Sequence, residues 1–259
     1  KVGPVQAVTV GPTRAVVPTW AVMGFIHGGT PKPQRASAAM PAVLLLPAAL
    51  ALTGPARTLP GLHVQDLPRF PSPAAQVVRF ETTNAEVSAE SGGRTSARAL
   101  AAWGRITGVR IGVGYPGPAA ARRAHDPRLA FSSEVERYRD PRAASRAIAR
   151  GLAEERAAAG SVNGGVRIAW VRVRPTRVRA ARDGFEILAR YHAPLLTVAH
   201  ETVVFRSGCV VGSVTGKVFG PRPPTRELRL LAMKLSLRLA PALGRICQAT
   251  LGSMPEDPA

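Results

Sequence analysis

Arg167, Trp170, Arg172, Arg174, Arg177, Arg179 and Arg182 place six guanidinium groups and one indole within sixteen residues. A guanidinium is a planar fork of donors that fits phosphate or carboxylate in two-point contact. An indole interleaved with such groups can stack on a base or a sugar ring. This stretch is therefore the candidate ligand-binding segment. It fits an anionic envelope polymer, an anionic lipid headgroup or nucleic acid. Set against all three is an arginine-rich surface that reflects composition alone. Of the 35 basic residues only Lys1, Lys32, Lys217 and Lys234 are lysine. That skew, with abundant Ala, Gly and Pro, matches GC-rich coding.

The other chemically capable residues lack the spacing that a reaction needs. The histidines are His27, His63, His125, His192 and His200. "AHET" (199–202) sets a histidine beside a glutamate, but no second histidine follows four residues on, as a zinc-binding helix requires. "HGGT" (27–30) has the composition of an oxyanion-hole loop, yet no Gly-x-Ser-x-Gly exists to partner it. "GSVTGKV" (212–218) fails as a phosphate loop. Three residues, not four, separate its glycines, and Val218 stands where a magnesium-binding hydroxyl belongs. It reads as a strand interrupted by glycine.

Glu134 and Glu136 share one face of a strand, about 7 Å apart by strand geometry. That separation is within reach of glycosidase chemistry. The chain has few aromatics to build a sugar platform, however, so this pair reads as a solvated face; Glu154/Glu155 is the other acidic pair. His192 and His200 read as surface or half-buried strand residues. The chain is expected to have no catalytic residue, no metal site and no cofactor, and not to be an enzyme. A pocket holding His192 or His200 within hydrogen-bond reach of a carboxylate would instead indicate a hydrolase. Cys209 and Cys247 are too few for a disulfide scaffold or a zinc site. One disulfide in an oxidising compartment and two buried thiols are the alternatives.

The elements that must position these residues follow from periodicity and punctuation. Val77–Thr82, Ile106–Tyr115 and Leu129–Arg139 read as strands, with a short helix over Thr95–Trp103. Asp140 is an N-cap with Pro141 at the first helical position. The helix that follows carries Ala144, Ile148 and Leu152 on one stripe and Arg142, Arg146 and Arg150 on another, and Glu154 can pair with Arg150 one turn earlier. Val166–Val173, Phe185–His192, Leu195–Arg206 and Cys209–Phe219 read as successive strands, the last two joined at Ser207–Gly208 as by a two-residue hairpin loop. Thr225 reads as the cap of a final helix, with Glu227 in its first turn. Leu228, Leu231, Leu235 and Leu239 form its apolar face, widened by Leu230, Met233 and Leu237. Strands that follow one another without helices between them indicate α+β: an antiparallel meander sheet with helices packed on one face. A ligand is expected between the sheet and the last helix.

The chain is 259 residues long with a formal charge of +19, a field that attracts polyanions without choosing among them. Residues 1–39 read as a disordered or non-native leader. Residues 40–54 hold an apolar run too short to span a bilayer but of the length of a signal h-region. Ala49-Leu50-Ala51 offers a small-x-small cleavage pattern. An uncleaved anchor and a core helix are the other readings. Residues 55–75 read as a Pro-rich linker, 76–252 as a single α+β domain and 253–259 as a tail.

Four phrases fit a common pattern: "LHVQDLPRF" (62–70), "GRITGVR" (104–110), "SSEVERYRD" (132–140) and "VVFRSGCVVGSV" (203–214). Together they resemble secreted and lipoprotein sensor-domain-like envelope proteins of high-GC Gram-positive bacteria, over roughly residues 60–246. The resemblance implies an exported α+β domain and transfers no catalytic residue. Pro55 stands in "LTGP" where the lipid-bearing cysteine of such lipoproteins would be, which removes the lipid attachment point and leaves export in place. The sequence thus leads to an extracytoplasmic binding or sensing domain of the cell envelope, without catalytic activity, recognising an anionic polymer or lipid headgroup. The alternative is a cytosolic Arg-rich nucleic-acid-binding protein, which export would disfavour.

Overall fold

Gly208 and Cys209 form a two-residue turn between Ser207 and Val210, which face each other across a hairpin. Gly208 has φ +60, the left-handed value that such tight hairpin turns need and that glycine adopts without penalty. The turn therefore lies one residue later than Ser207–Gly208. In a computed structural model of the chain, residues 59–91, 95–163, 166–193 and 196–248 are described. The leader read at 1–39, the apolar run at 40–54 and the tail at 253–259 lie outside them.

The described elements run β1 (Gln76–Thr82), α1 (Asn84–Glu90), α2 (Ala97–Ala102), β2 (Arg105–Gly114), α3 (Pro118–Arg123), β3 (Arg128–Tyr138), α4 (Pro141–Ala158), β4 (Val162–Asn163), β5 (Val166–Pro175), β6 (Asp183–Ala193), β7 (Leu196–Ser207), β8 (Val210–Phe219), α5 (Thr225–Leu239) and α6 (Leu243–Gln248). All strand pairs are antiparallel. The sheet order β1-β2-β3-β8-β7-β6-β5-β4 joins two meanders through the β3–β8 pair, so the fold is α+β with an antiparallel sheet.

Helices cover both faces of this sheet, not one. Val203, Phe205 and Val214 pack with Leu228, Leu231, Leu235 and Leu239 of α5. Val204, Val211 and Ile187 pack with Ala144, Ile148 and Leu152 of α4. Neighbouring residues of β7 thus point into two different cores, because successive strand side chains alternate in direction. β7 is buried from Val198 through Ser207 and β8 from Val210 through Val218, the continuous burial of strands sandwiched on both sides.

Local signals account for the helix starts. Asp140 accepts the Ala143 N–H at 2.6 Å, with Pro141 at the first position of α4. Arg150 of α4 stacks over the Trp103 ring, 3.6 Å from its centroid. α1, absent from the sequence reading, begins at a capping box. Thr83 Oγ1 accepts the Glu86 N–H, and Glu86 reaches back to the Thr83 N–H at 2.7 Å. Thr225 does not cap α5; its hydroxyl donates to Glu201 Oε2 at 2.6 Å. Leu228, Leu231, Leu235 and Leu239 are buried, whereas Leu230 and Leu237 are 53% and 42% exposed. The apolar face of α5 is therefore two stripes, and only one meets the sheet.

The Pro-rich stretch is not a free linker over its described part. Leu59, Leu62 and Leu67 are buried against Val109, Ile111 and α5. Asp66 accepts from Arg238 and lies 3.2 Å from Lys234. Burial works against the Asp66 charge. The His63 N–H, Arg238 and Lys234 outweigh it, holding the carboxyl down at about 2.

Candidate functional site

The arginine segment begins on β5, and one irregularity decides its geometry. Arg167 stands opposite His192 and Trp170 opposite Arg190, with a register shift between Ile168 and Trp170. His192 and Arg190 are two apart on β6 and share a face, so the bulge absorbs the odd residue and puts Arg167 and Trp170 on that face too. Arg172 and Arg174 follow at the strand period, opposite Leu188 and Glu186. Glu186 in turn pairs with Val203, which packs under α5. The four β5 side chains therefore lie on the α5 side of the sheet, beyond the strands that α5 itself covers. Arg167, Trp170, Arg172 and Arg174 are all exposed. The Arg172 and Arg190 guanidiniums sit 6.0 and 5.2 Å from the Trp170 ring centroid.

α5 forms the wall of this face. Glu186, fully buried, accepts from Arg174 on β5 and from Arg229 and Thr176, tying strand, loop and helix together. Burial opposes its charge, and the hydrogen bonds from Arg229 and Arg174 outweigh burial, so the carboxyl stays below its ordinary value. Beside it Glu201 is raised by burial and by repulsion from Glu186, opposed by the Thr225 hydrogen bond. Arg177 and Arg179, on the loop after β5, face Arg226, Arg229, Leu230 and Met233 of α5 across a groove of about 500 Å³. The Ser236 hydroxyl donates to the Arg179 carbonyl and anchors the loop to α5.

The structure thus brings Arg167, Trp170, Arg172 and Arg174 together on the sheet face and sets Arg177 and Arg179 at its helical edge. Arg182 joins neither group. Its N–H is held by the Arg206 carbonyl at the start of β6, and it does not line the groove. Arg190, Arg226 and Arg229 complete the face and were missed in the sequence. The alternation Glu186, Leu188, Arg190, His192 in "FEILARYH" would have found Arg190. Nothing local brings α5 beside β5. Chemically the face offers fork donors whose geometry fits phosphate or carboxylate, and one π surface that holds two of the guanidiniums.

Cys209 and Cys247 are disulfide-bonded, with Cα atoms 5.7 Å apart, and the bond holds α6 against the β7–β8 turn. The glycines of "GSVTGKV" are packing positions on β8. A Cβ at Gly212 would lie 2.5 Å from the Phe205 ring, and one at Gly216 would lie 2.8 Å from Pro224.

Glu134 and Glu136 are not solvated. They lie under α4, where Arg110 donates to both Glu134 oxygens at 3.0 and 3.1 Å. Arg105 bonds Glu136 at 2.6 Å and the Tyr138 hydroxyl donates to it at 2.9 Å. His200 is buried, contrary to its reading as a surface or half-buried residue. Its ring nitrogens meet the Tyr191 hydroxyl at 2.9 Å and the Thr202 hydroxyl at 3.2 Å. His192 meets the Thr197 hydroxyl at 3.1 Å. Among the described residues both histidines hydrogen-bond to hydroxyls. Among the described residues there is also no group of three or more metal-ligating side chains, and no helix long and apolar enough to cross a membrane.

Glu155, on the buried side of α4, is 2% exposed and its Oε1 has no hydrogen-bond partner among the described residues. Burial pushes this carboxyl up to about 7, with repulsion from Glu154 adding to it and Lys217 opposing. Below the ordinary value of 4.5 both folded and unfolded chains hold the proton and nothing changes. Between 4.5 and 7 the unfolded chain releases it first, so stability falls as pH rises. The loss levels off at about 3 kcal/mol above pH 7. His200, held well below its ordinary value by burial, contributes the opposite slope to wild type and variant alike. The stability of Glu155→Gln relative to wild type should therefore grow by about 3 kcal/mol between pH 4 and 8, read from urea midpoints. A difference that stays constant with pH would refute the assignment.

No protein-family model and no characterised protein sequence matches the chain. Among solved structures it is similar to the extracellular domain of PknH from Mycobacterium tuberculosis, at 9% identity and a TM-score of 0.41, over 67% of this chain and 87% of that one.

Proposed function

We propose that this chain is an exported, non-catalytic binding or sensing domain of the cell envelope that takes an anionic ligand on the open face of β5 and β6. The observation that carries the reading is the assembly there of Trp170 with Arg172 and Arg190, flanked by Arg167, Arg177, Arg179 and Arg226. Glu186, the acid of β6 on this face, is buried and already engaged by Arg174 and Arg229. The Cys209–Cys247 bond favours an oxidising compartment over the cytosol, and the envelope-protein phrases agree with that address.

The test is binding to inorganic polyphosphate as a soluble polyanion, titrated against salt. Affinity should fall steeply with ionic strength. Arg172→Ser with Arg190→Ser should weaken binding roughly tenfold, the scale of one lost charge-assisted contact. Unchanged affinity in that variant would overturn the site. Trp170 between two guanidiniums also favours the nucleic-acid alternative, because such a ring stacks on bases. A single-stranded oligonucleotide that binds much more tightly than polyphosphate of equal charge, with the preference abolished by Trp170→Ala, would replace the envelope reading.

A further inference from the structure

α5 carries more apolar surface than the sheet can use. Its inner stripe, Leu228, Leu231, Leu235 and Leu239, is buried. At 100° per residue Arg226, Leu230, Met233 and Leu237 fall on one narrow outer stripe along the same helix. Leu230 and Leu237 are the exposed large apolar side chains of α5, and Met233 lines the groove between them and the loop. Isolated exposed leucines need no explanation, but an aligned row does. Arg226 heads this row, and Arg177 and Arg179 flank it across the groove, all three exposed. On the opposite flank Lys234 and Arg238 are held by Asp66, and Glu227 is the one acid of the outer helix surface.

We infer that this stripe and the facing loop dock the domain on an anionic bilayer surface. An apolar row level with a rim of guanidiniums matches the layering of a membrane interface, where acyl chains lie just beneath phosphate. Each basic residue at such a surface adds attraction that salt weakens, and Leu230, Met233 and Leu237 supply the part that salt does not. A soluble polyanion would use the arginines and leave the leucines in water. The inference rests on the anion-binding reading above and names lipid as the source of the anion.

The measurement is cosedimentation of the full chain with phosphatidylglycerol/phosphatidylcholine vesicles and with phosphatidylcholine vesicles, beside polyphosphate binding. Leu230→Gln with Leu237→Gln keeps helix propensity and exchanges only exposed groups; its melting curve should match wild type. The wild type should pellet with the anionic vesicles and not with the neutral ones. The leucine variant should lose roughly tenfold in vesicle affinity, by the apolar area it withholds, while its polyphosphate affinity stays within twofold. Arg177→Gln with Arg179→Gln and Arg226→Gln should weaken vesicle binding as well. Vesicle binding unchanged in the leucine variant would overturn the membrane inference and leave the anion site standing. So would polyphosphate binding without vesicle binding, or a wild-type dimer that the leucine variant converts to monomer without any vesicle binding. Failure to bind either vesicles or polyphosphate would remove both readings.

Discussion

Arg110→Met is expected to destabilise the fold by about 3–5 kcal/mol at pH 7, the usual cost of stripping a buried ion pair of one partner. Arg110 is 2% exposed and stands between Glu134, at 3.0 and 3.1 Å, and Glu90, at 2.7 Å. Burial works against the guanidinium's charge. Glu134 and Glu90 more than offset it and hold the group above its ordinary range. Burial also pushes the Glu134 carboxyl up, with Arg110 opposing. Without Arg110 that carboxyl must either stay charged while buried, with Glu136 repelling it and Arg105 its remaining cation, or bind a proton. The variant should consequently recover part of its loss as pH falls and Glu134 takes up the proton. Arg110→Met with Glu134→Gln removes both charges and should regain most of the stability at pH 7, because a neutral pair costs less to bury than a lone charge. Urea denaturation of wild type, single and double variants measures all three quantities. A single variant within about 1 kcal/mol of wild type would show that solvent reaches the site.

Loss of the Cys209–Cys247 bond is expected to cost about 4 kcal/mol, the loop-closure value for a ring of this size. The two residues are 38 apart in sequence, so the bond removes a large set of open conformations from the unfolded chain. In the folded chain Cys247 Sγ also accepts the Cys209 N–H at 3.2 Å. α6 has no fully buried residue of its own, and the bond is its strongest tie to the body. Cys209→Ser with Cys247→Ser should lower the urea midpoint and expose α6 to proteolysis before the rest of the chain. Treatment of the wild type with reductant should reproduce both effects. Equal midpoints with and without reductant would mean that α6 is held by packing alone. Against a typical total of 5–15 kcal/mol, the expected loss is large enough that the chain folds well only where the bond can form. That ties stability to the oxidising compartment proposed for it.

Much of the fold was legible because its signals are local. Asp140–Pro141 starts α4, Gly208 turns the β7–β8 hairpin, and the three- and four-residue spacing of Leu228, Leu231, Leu235 and Leu239 sets the buried side of α5. The capping box at Thr83–Glu86 was equally local and marks α1 in the sequence, although periodicity passed over it. The arginines of β5 were legible as a cluster, since they are neighbours in the chain.

The partners of the buried charges were not legible. Glu134 and Glu136 stand either side of Val135, and in a sheet covered on one side such alternating polar residues face water. Here β3 pairs with β8, residues distant in sequence, and α4 closes over the second face. The alternating polar residues are thereby buried, and each must find a charge or hydroxyl from another strand or helix. The same tertiary step made the candidate site. Composition determined that the chain is basic, and strand periodicity determined that Arg172 and Arg174 share a side. Only the packing of α5 across β7 and β8 set Arg226 and Arg229 beside them and left Leu230 and Leu237 outside. A side chain's direction follows from its own backbone, whereas its surroundings depend on contacts that the chain makes with itself over long separations.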